Sequence, residues 1–183
     1  MSAKRRSKRG REPVRGGEAA TKGLPSTAAI MGHPIHPALV PLPITFLTAA
    51  LATDLAARTT RDPFWARTST WLLGAGVVSG LAAGAVGAID YFTIRRARET
   101  GVGKLHAYGN PTALAVAATN LVSRRGREGR DALPTGGEIA LSATTAALLG
   151  VTAWAGGELS YRHMVGVVGH NDQHTEEEKR VVP

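Results

Sequence analysis

Four apolar segments occupy the middle of this 183-residue chain and limit what it can fold into. They run over residues 38–57, 71–94, 105–122 and 139–157. Each is roughly 18–24 residues long, close to the about 20 residues that an α-helix needs to cross a hydrocarbon core. Short charged stretches separate the segments, and short connections join antiparallel neighbours. The pattern predicts an all-α fold, an integral membrane bundle of four antiparallel transmembrane helices.

A soluble four-helix bundle is the competing interpretation, because the segments are rich in Ala, Gly and Thr rather than in Leu and Ile. The helices of a soluble bundle carry a polar stripe on their outward face. The second and fourth segments have no polar stripe of any width. This difference favours the membrane. No early apolar core precedes a small-residue cleavage site, so the sequence indicates no cleavable signal peptide.

Polar tails flank the apolar middle. Residues 1–30 are basic, Gly-rich and poor in large apolar groups, which predicts disorder. Residues 31–168 form the predicted transmembrane domain, and residues 169–183 form a polar C-terminal tail. Much of the net charge of +8 lies in the N-terminal tail. We therefore expect the basic tail to bind anionic lipids of the bilayer, with no specific nucleic-acid partner.

The distribution of Lys and Arg also predicts the orientation in the cell membrane. The two tails and the second loop together carry more positive charge than the first and third loops. Positive loops favour the cytoplasmic side, so we expect a multi-pass protein with both termini in the cytoplasm.

Small residues follow one face of the second segment. Gly76, Gly80 and Gly84 recur at intervals of four, with Ala83 and Gly87 nearby. Such a ridge lets another helix backbone approach closely in lipid. It predicts tight helix packing and leaves open whether the partner helix belongs to the same chain.

Histidines and carboxylates lie at those segment ends that an antiparallel order brings to one membrane face. Imidazole nitrogen and carboxylate oxygen are ligands of zinc and iron. Histidines on facing helices can also hold haem b. The chain has no cysteine, which excludes covalent c-type haem and cysteine-ligated clusters. We therefore predict a metal site from His33, His36, His106, His163, Asp90 and Glu158, or a haem site from His36, His106 and His163.

Two of these histidines precede prolines in the stretch from His33 to Pro37. Residues before proline are displaced toward polyproline geometry, in which positions three apart point the same way. His33 and His36 are therefore expected to face one target. The plainer interpretation is a rigid helix start with interfacial histidines.

Other polar residues allow more than one interpretation. Asn110 shares a helix face with His106 and could hold its imidazole or bond to another helix. Asp90 could bind a metal, orient a histidine, or pair with Arg95 or Arg162. Glu158 and Arg162 can pair if their helix continues. Asp54 lies at the opposite face near Arg58, and we interpret it as structural.

The motifs together resemble a family of bacterial predicted membrane proteins of unknown function. The resemblance rests on His33-Pro34-Ile35-His36-Pro37, on Asp90, on the stretch from His106 to Asn110, and on Gly156-Gly157-Glu158-Leu159 with Tyr161-Arg162-His163. It covers about residues 31–168 and implies four membrane helices. Some relatives resemble fusions with Rieske-type or cytochrome-type modules, which hints at electron transfer with a redox partner protein. This chain has Met164 where relatives often have glycine, which implies an altered turn.

Three functions remain open at this point. The first is a membrane protein that binds a metal or haem, linked to electron transfer. The second is a pathway for protons or small solutes, although the ionisable residues cluster at one face and do not run across. The third is a structural or interaction protein without a cofactor, which accounts for the basic tail but not for the histidines. The sequence leaves undecided whether the protein is an enzyme.

Overall fold

The computed structural model describes residues 23–127 and 132–167. The basic tail up to residue 22 and the C-terminal tail therefore lie outside the described residues. A short hairpin pairs β1 (Ala29–Ile30) with β2 (His33–Pro34). It leads into the helices α1 (Ile35–Leu39), α2 (Pro41–Thr60), α3 (Pro63–Thr93), α4 (Arg95–Glu99), α5 (Gly101–Ser123) and α6 (Gly136–Tyr161).

Local sequence signals explain where the long helices begin. Pro41 and Pro63 open α2 and α3, at positions where the missing N–H costs no helix bond. The side chain of Asp62 accepts from the backbone N–H of Phe64 at 2.8 Å and caps α3. Thr135 and Glu138 form a reciprocal capping box at the start of α6.

The helices pack as two antiparallel hairpins. The first hairpin pairs α2 with α3, and the second pairs α5 with α6. The hairpins join through contacts of α3 with α5 and of α2 with α6. The core between them is apolar and consists of alanine and leucine side chains, namely Leu47, Ala50, Leu73, Ala113, Ala117 and Leu149.

The glycine ridge of α3 packs against helices of this same chain. A Cβ added at Gly76 would lie 2.5 Å from the side chain of Leu47, and one added at Gly80 would collide with Leu114. Gly84 has open space beside it. The ridge therefore brings α3 close to α2 through one glycine and to α5 through another.

Three helical stretches are long and apolar enough to cross a membrane. They are Ile35–Thr60 with 26 residues, Pro63–Thr93 with 31 and Gly136–Tyr161 with 26. The all-α prediction with long apolar helices packed together is confirmed. Within residues 23–127 and 132–167, α5 does not join these candidates, because Lys104, His106 and the asparagines dilute its apolar character.

The outward face of the bundle is apolar. Large exposed side chains include Trp71 at 80 %, Val78 at 69 % and Leu81 at 61 %. Soluble monomers rarely expose contiguous apolar surface of this kind, whereas lipid accommodates it without cost. The surface therefore supports the membrane interpretation over the soluble bundle.

The segment before α1 is fastened to the bundle. Leu24 forms a parallel bridge with Val165, beyond the end of α6. Ala28 accepts a backbone hydrogen bond from Ile35 at 3.0 Å, which closes the short hairpin. We call residues 24–34 the strap. The predicted boundary at residue 31 thus falls inside a segment that contacts the bundle from residue 24 onward.

Candidate ligand site at the histidine end of the bundle

His36 and His106 lie against each other at one end of the bundle. Their ring centroids are 5.9 Å apart, and the ring planes are nearly perpendicular, at 89°. Both side chains are half-buried. His36 belongs to α1, at the start of the first hairpin, and His106 belongs to α5 in the second. The two hairpins therefore contribute one imidazole each.

Each imidazole is anchored through its Nδ1 atom. Nδ1 of His36 lies 2.8 Å from the carbonyl oxygen of Ala83, and Nδ1 of His106 lies 2.8 Å from that of Thr152. A carbonyl oxygen only accepts hydrogen bonds, so Nδ1 carries the proton and donates. The neutral ring then has its lone pair at Nε2. Among the described residues, neither Nε2 atom has a hydrogen-bond partner.

Glycines make the room in which the rings sit. A Cβ added at Gly87 would lie 2.8 Å from ring atoms of His36, and one at Gly156 would lie 2.9 Å from the ring of His106. Each glycine follows the anchoring carbonyl of Ala83 or Thr152 by four residues, one helical turn. Each histidine is therefore held by a carbonyl and a glycine on the neighbouring helix.

Asn110 bonds between helices and does not touch the imidazole of His106. Its Oδ1 accepts from Thr152 Oγ1 at 3.0 Å, and its Nδ2 donates to the carbonyl of His106 at 2.8 Å. Of the two interpretations given above, the helix–helix hydrogen bond is the one observed. Asn110 supports His106 indirectly, since Thr152 also supplies the anchoring carbonyl.

Asp90 holds the strap. Its Oδ1 accepts from the backbone N–H groups of Thr27 at 2.8 Å and Ala28 at 3.1 Å, and its Oδ2 accepts from Ser26 Oγ at 2.6 Å. The predicted pairing of Asp90 with an arginine is not observed among the described residues. Arg95 instead pairs with Glu99 at 2.6 Å.

The remaining predicted site residues have other partners or are exposed. Glu158 pairs with Arg162 at 3.3 Å, as predicted. The carbonyl of His163 accepts from Arg96 at 2.9 Å, and His33 is exposed in β2. Across residues 23–127 and 132–167, no group of three or more His, Cys, Asp or Glu side chains is placed to hold a metal ion.

The polyproline prediction for His33 and His36 is wrong at His36. His36 is already helical, in α1, while His33 lies in β2. Pro37 falls in the first turn of α1, where its missing N–H costs no helix bond, so the helix starts before it. The side chains of His33 and His36 consequently have different surroundings.

A second polar cluster is buried at the opposite end of the bundle. Arg124 binds Asp54 through two hydrogen bonds of 2.8 Å each. Ser142 donates to Asp54 at 2.6 Å, while Ser69 and Asn120 accept from Arg124 at 2.9 and 3.1 Å. Asp54 is fully buried and Arg124 is 8 % exposed. Asp54 is thus bonded within the bundle, but to Arg124 rather than to the nearby Arg58.

Sequence reasoning missed Ala83, Thr152 and Arg124. A backbone carbonyl that binds a side chain cannot be recognised from the sequence, but the glycines that follow one turn later, Gly87 and Gly156, can be. The role of Arg124 was not predictable, because its partner Asp54 lies 70 positions away in the sequence. A detectable signal exists, because His36 and His106 are each followed by a proline after five residues and by a charged residue after 18.

Comparison with protein families agrees with this architecture. Residues 32–169 match the family described as predicted membrane protein (DUF2231). The chain belongs to this family. The match begins within the strap and ends beyond α6, so it includes both hairpins and both imidazoles. Membership makes the chain a predicted membrane protein of a family without an assigned function. No curated protein and no solved structure matches the chain.

Proposed function

We propose that this protein holds one metal centre between Nε2 of His36 and Nε2 of His106, and that the centre is the iron of haem b. The observation that carries the proposal is the paired anchoring of the two rings. Metal-ligating histidines commonly donate their other ring N–H to a backbone carbonyl, which fixes the tautomer and raises the basicity of the ligand nitrogen. Both histidines have this arrangement.

The donor set fits a metal bound by two imidazoles. With metal–nitrogen bonds of about 2.0–2.1 Å and about 1.1 Å from each nitrogen to its ring centre, a metal between two imidazoles places their centroids at most about 6.4 Å apart. The observed separation of 5.9 Å lies within that range. Two neutral imidazoles also avoid the cost of an uncompensated charge near the membrane.

The number of ligands favours haem iron over a bare ion. Structural zinc takes four protein ligands and catalytic zinc three, whereas haem iron needs only one or two axial ligands from the protein. The described residues offer the two imidazoles and no third His, Cys, Asp or Glu beside them. His163, which we predicted as a further haem ligand, together with His33, Asp90 and Glu158, would then lie outside the coordination sphere.

When bound, haem would supply one-electron chemistry at this site, so we assign the protein to membrane electron transfer. His36 and His106 would hold the haem iron, and the carbonyls of Ala83 and Thr152 keep Nδ1 of each ring protonated. Arg95, Arg98, Lys104 and Arg162 are exposed at this end. Their charge favours a cytoplasmic face, both termini inside, contact with anionic lipid, and a redox partner protein with an acidic surface.

The experiment is purification in detergent with a haem titration, an absorption spectrum and metal analysis. We expect a Soret band at one haem per chain, lost in His36→Ala and in His106→Ala. His33→Ala is the matched control, since His33 is exposed and lies three residues away. Stoichiometric zinc or iron without a Soret band would show that the site holds a bare metal ion instead of haem.

If neither haem nor metal binds and both variants fold like the wild type, the ligand site is refuted. The protein would then be a structural membrane protein or a pathway for protons or small solutes.

A further inference from the structure

The two hairpins repeat one another at their contact points, with spacings that differ by one residue. His36 reaches a carbonyl 47 residues later, and His106 reaches one 46 residues later. In both cases a glycine follows that carbonyl after one turn. Pro41 and Pro111 stand five residues after the respective histidines. Each hairpin therefore contains the same arrangement, in which a histidine contacts a carbonyl and a glycine of the neighbouring helix.

The packing between the hairpins has the same symmetry. Exchanging α2 with α5 and α3 with α6 converts the α3–α5 contact into the α6–α2 contact, and both contacts are present. A twofold axis along the bundle relates the halves, because His36 and His106 lie at the same end. Equivalent residues that touch each other must lie beside this axis. His36 and His106 meet this condition at one end.

Asp54 and Arg124 meet the same condition at the other end. Asp54 follows His36 by 18 residues, and Arg124 follows His106 by 18. They are equivalent positions, they touch, and their charges are opposite. Two copies of the first hairpin would bring two buried carboxylates together here, and two copies of the second would bring two guanidiniums together. Either like pairing is strongly unfavourable in a low dielectric.

We infer that the two hairpins are versions of one recognition unit, and that the buried Asp54–Arg124 pair makes each hairpin select the other rather than a second copy of itself. The interaction surface is the contact of α2 and α3 with α5 and α6. Its partner is the unlike hairpin, from the same chain or from a second copy of this chain.

Charge exchange in the full chain tests the inference. D54R places two guanidiniums at the axis, and R124D places two carboxylates there. Loss of a buried pair leaves an uncompensated charge, so we expect each single variant to lose monodisperse monomer by at least about tenfold on size exclusion in detergent. The double variant D54R/R124D restores the opposite charges and should recover most of the monomer. The exposed arginines provide matched controls, R58D and R125D, which should retain it.

Co-expression of the two single variants under different tags separates recognition between hairpins from a local ion pair. The first hairpin of the D54R chain then complements the second hairpin of the R124D chain, and the reverse pairing is also complementary. We expect the two chains to co-purify as a one-to-one dimer. Single variants that remain monomeric, a double variant that is not rescued, or chains that fail to co-purify would each overturn the inference.

Discussion

At the scale of single residues, the candidate site depends on what lies behind each imidazole. Gly87 and Gly156 lie so close to the rings that a methyl group at either would occupy their space. The anchoring carbonyls of Ala83 and Thr152 set the tautomer from the same helix faces. The position and protonation of each ring are therefore fixed by two adjacent features of one helix turn.

Gly87→Ala and Gly156→Ala should each weaken haem binding by at least tenfold, about 1.4 kcal/mol, because the new methyl group displaces the ring. Gly84→Ala is the matched control on the same helix, since a Cβ there meets nothing within 4 Å. Haem titration would measure the affinity of each variant, and thermal unfolding would measure its stability. Equal affinities for the Gly84 and Gly87 variants would show that the ring is not seated on the glycine.

Met164 occupies a backbone conformation that suits glycine. Its φ is 53°, in the left-handed region, which favours glycine because a Cβ is crowded there. Met164→Gly should raise the free energy of unfolding by up to about 1 kcal/mol, because the steric cost of the left-handed conformation disappears. Met164→Ala keeps a Cβ and is the control, measured by denaturant unfolding in detergent. An alanine variant as stable as the glycine variant would contradict the strain argument.

At the scale of elements, the strap connects the turn after α6 and the end of α3 to the start of α1, the helix that carries His36. It bonds to the turn after α6 through Leu24, to the end of α3 through Asp90, and to the start of α1 through Ala28. His36 is the second residue of α1, so the strap sets where that helix begins. Asp90 therefore affects the site by positioning a segment, without contact to either imidazole.

Asp90→Asn should loosen the strap, because the charged acceptor that binds Ser26, Thr27 and Ala28 is lost. Hydrogen bonds to a charged partner contribute about 1.5–3 kcal/mol, so amide exchange of Thr27 and Ala28 should accelerate by about ten- to a hundredfold. Glu99→Gln, an exposed change at the same end, is the control. Unchanged exchange at Thr27 would refute the role of Asp90.

Helix α5 shows which parts of an element the sequence could predict. Its predicted range of 105–122 falls inside Gly101–Ser123, because apolar spacing marks a helix wherever it packs. The partners of its polar residues were not predictable, since His106 bonds to α6 across 46 residues and the order of helices decides that contact. Asn120 is likewise buried against Glu138 and Ser142 of α6.

At the scale of the whole molecule, the fold is two hairpins with a polar contact at each end of their common axis. Hydropathy predicts the number and direction of the long helices, and antiparallel order predicts which residues share a depth. Residues at one depth need not be neighbours, and the ring contact that the structure gives among the predicted histidines joins His36 to His106. The sequence predicts a structural role for Asp54, near Arg58, and the hairpin arrangement pairs it with Arg124.

The most direct test of the central claim is the electron paramagnetic resonance spectrum of the purified protein in its ferric, haem-loaded form. Two axial imidazoles give low-spin iron. Ring planes at 89° predict the strongly anisotropic low-spin signal of perpendicular ligands. That signal should disappear in both His36→Ala and His106→Ala. A high-spin signal in the wild type, or a low-spin signal that survives either substitution, would contradict the claim that these two histidines share one iron.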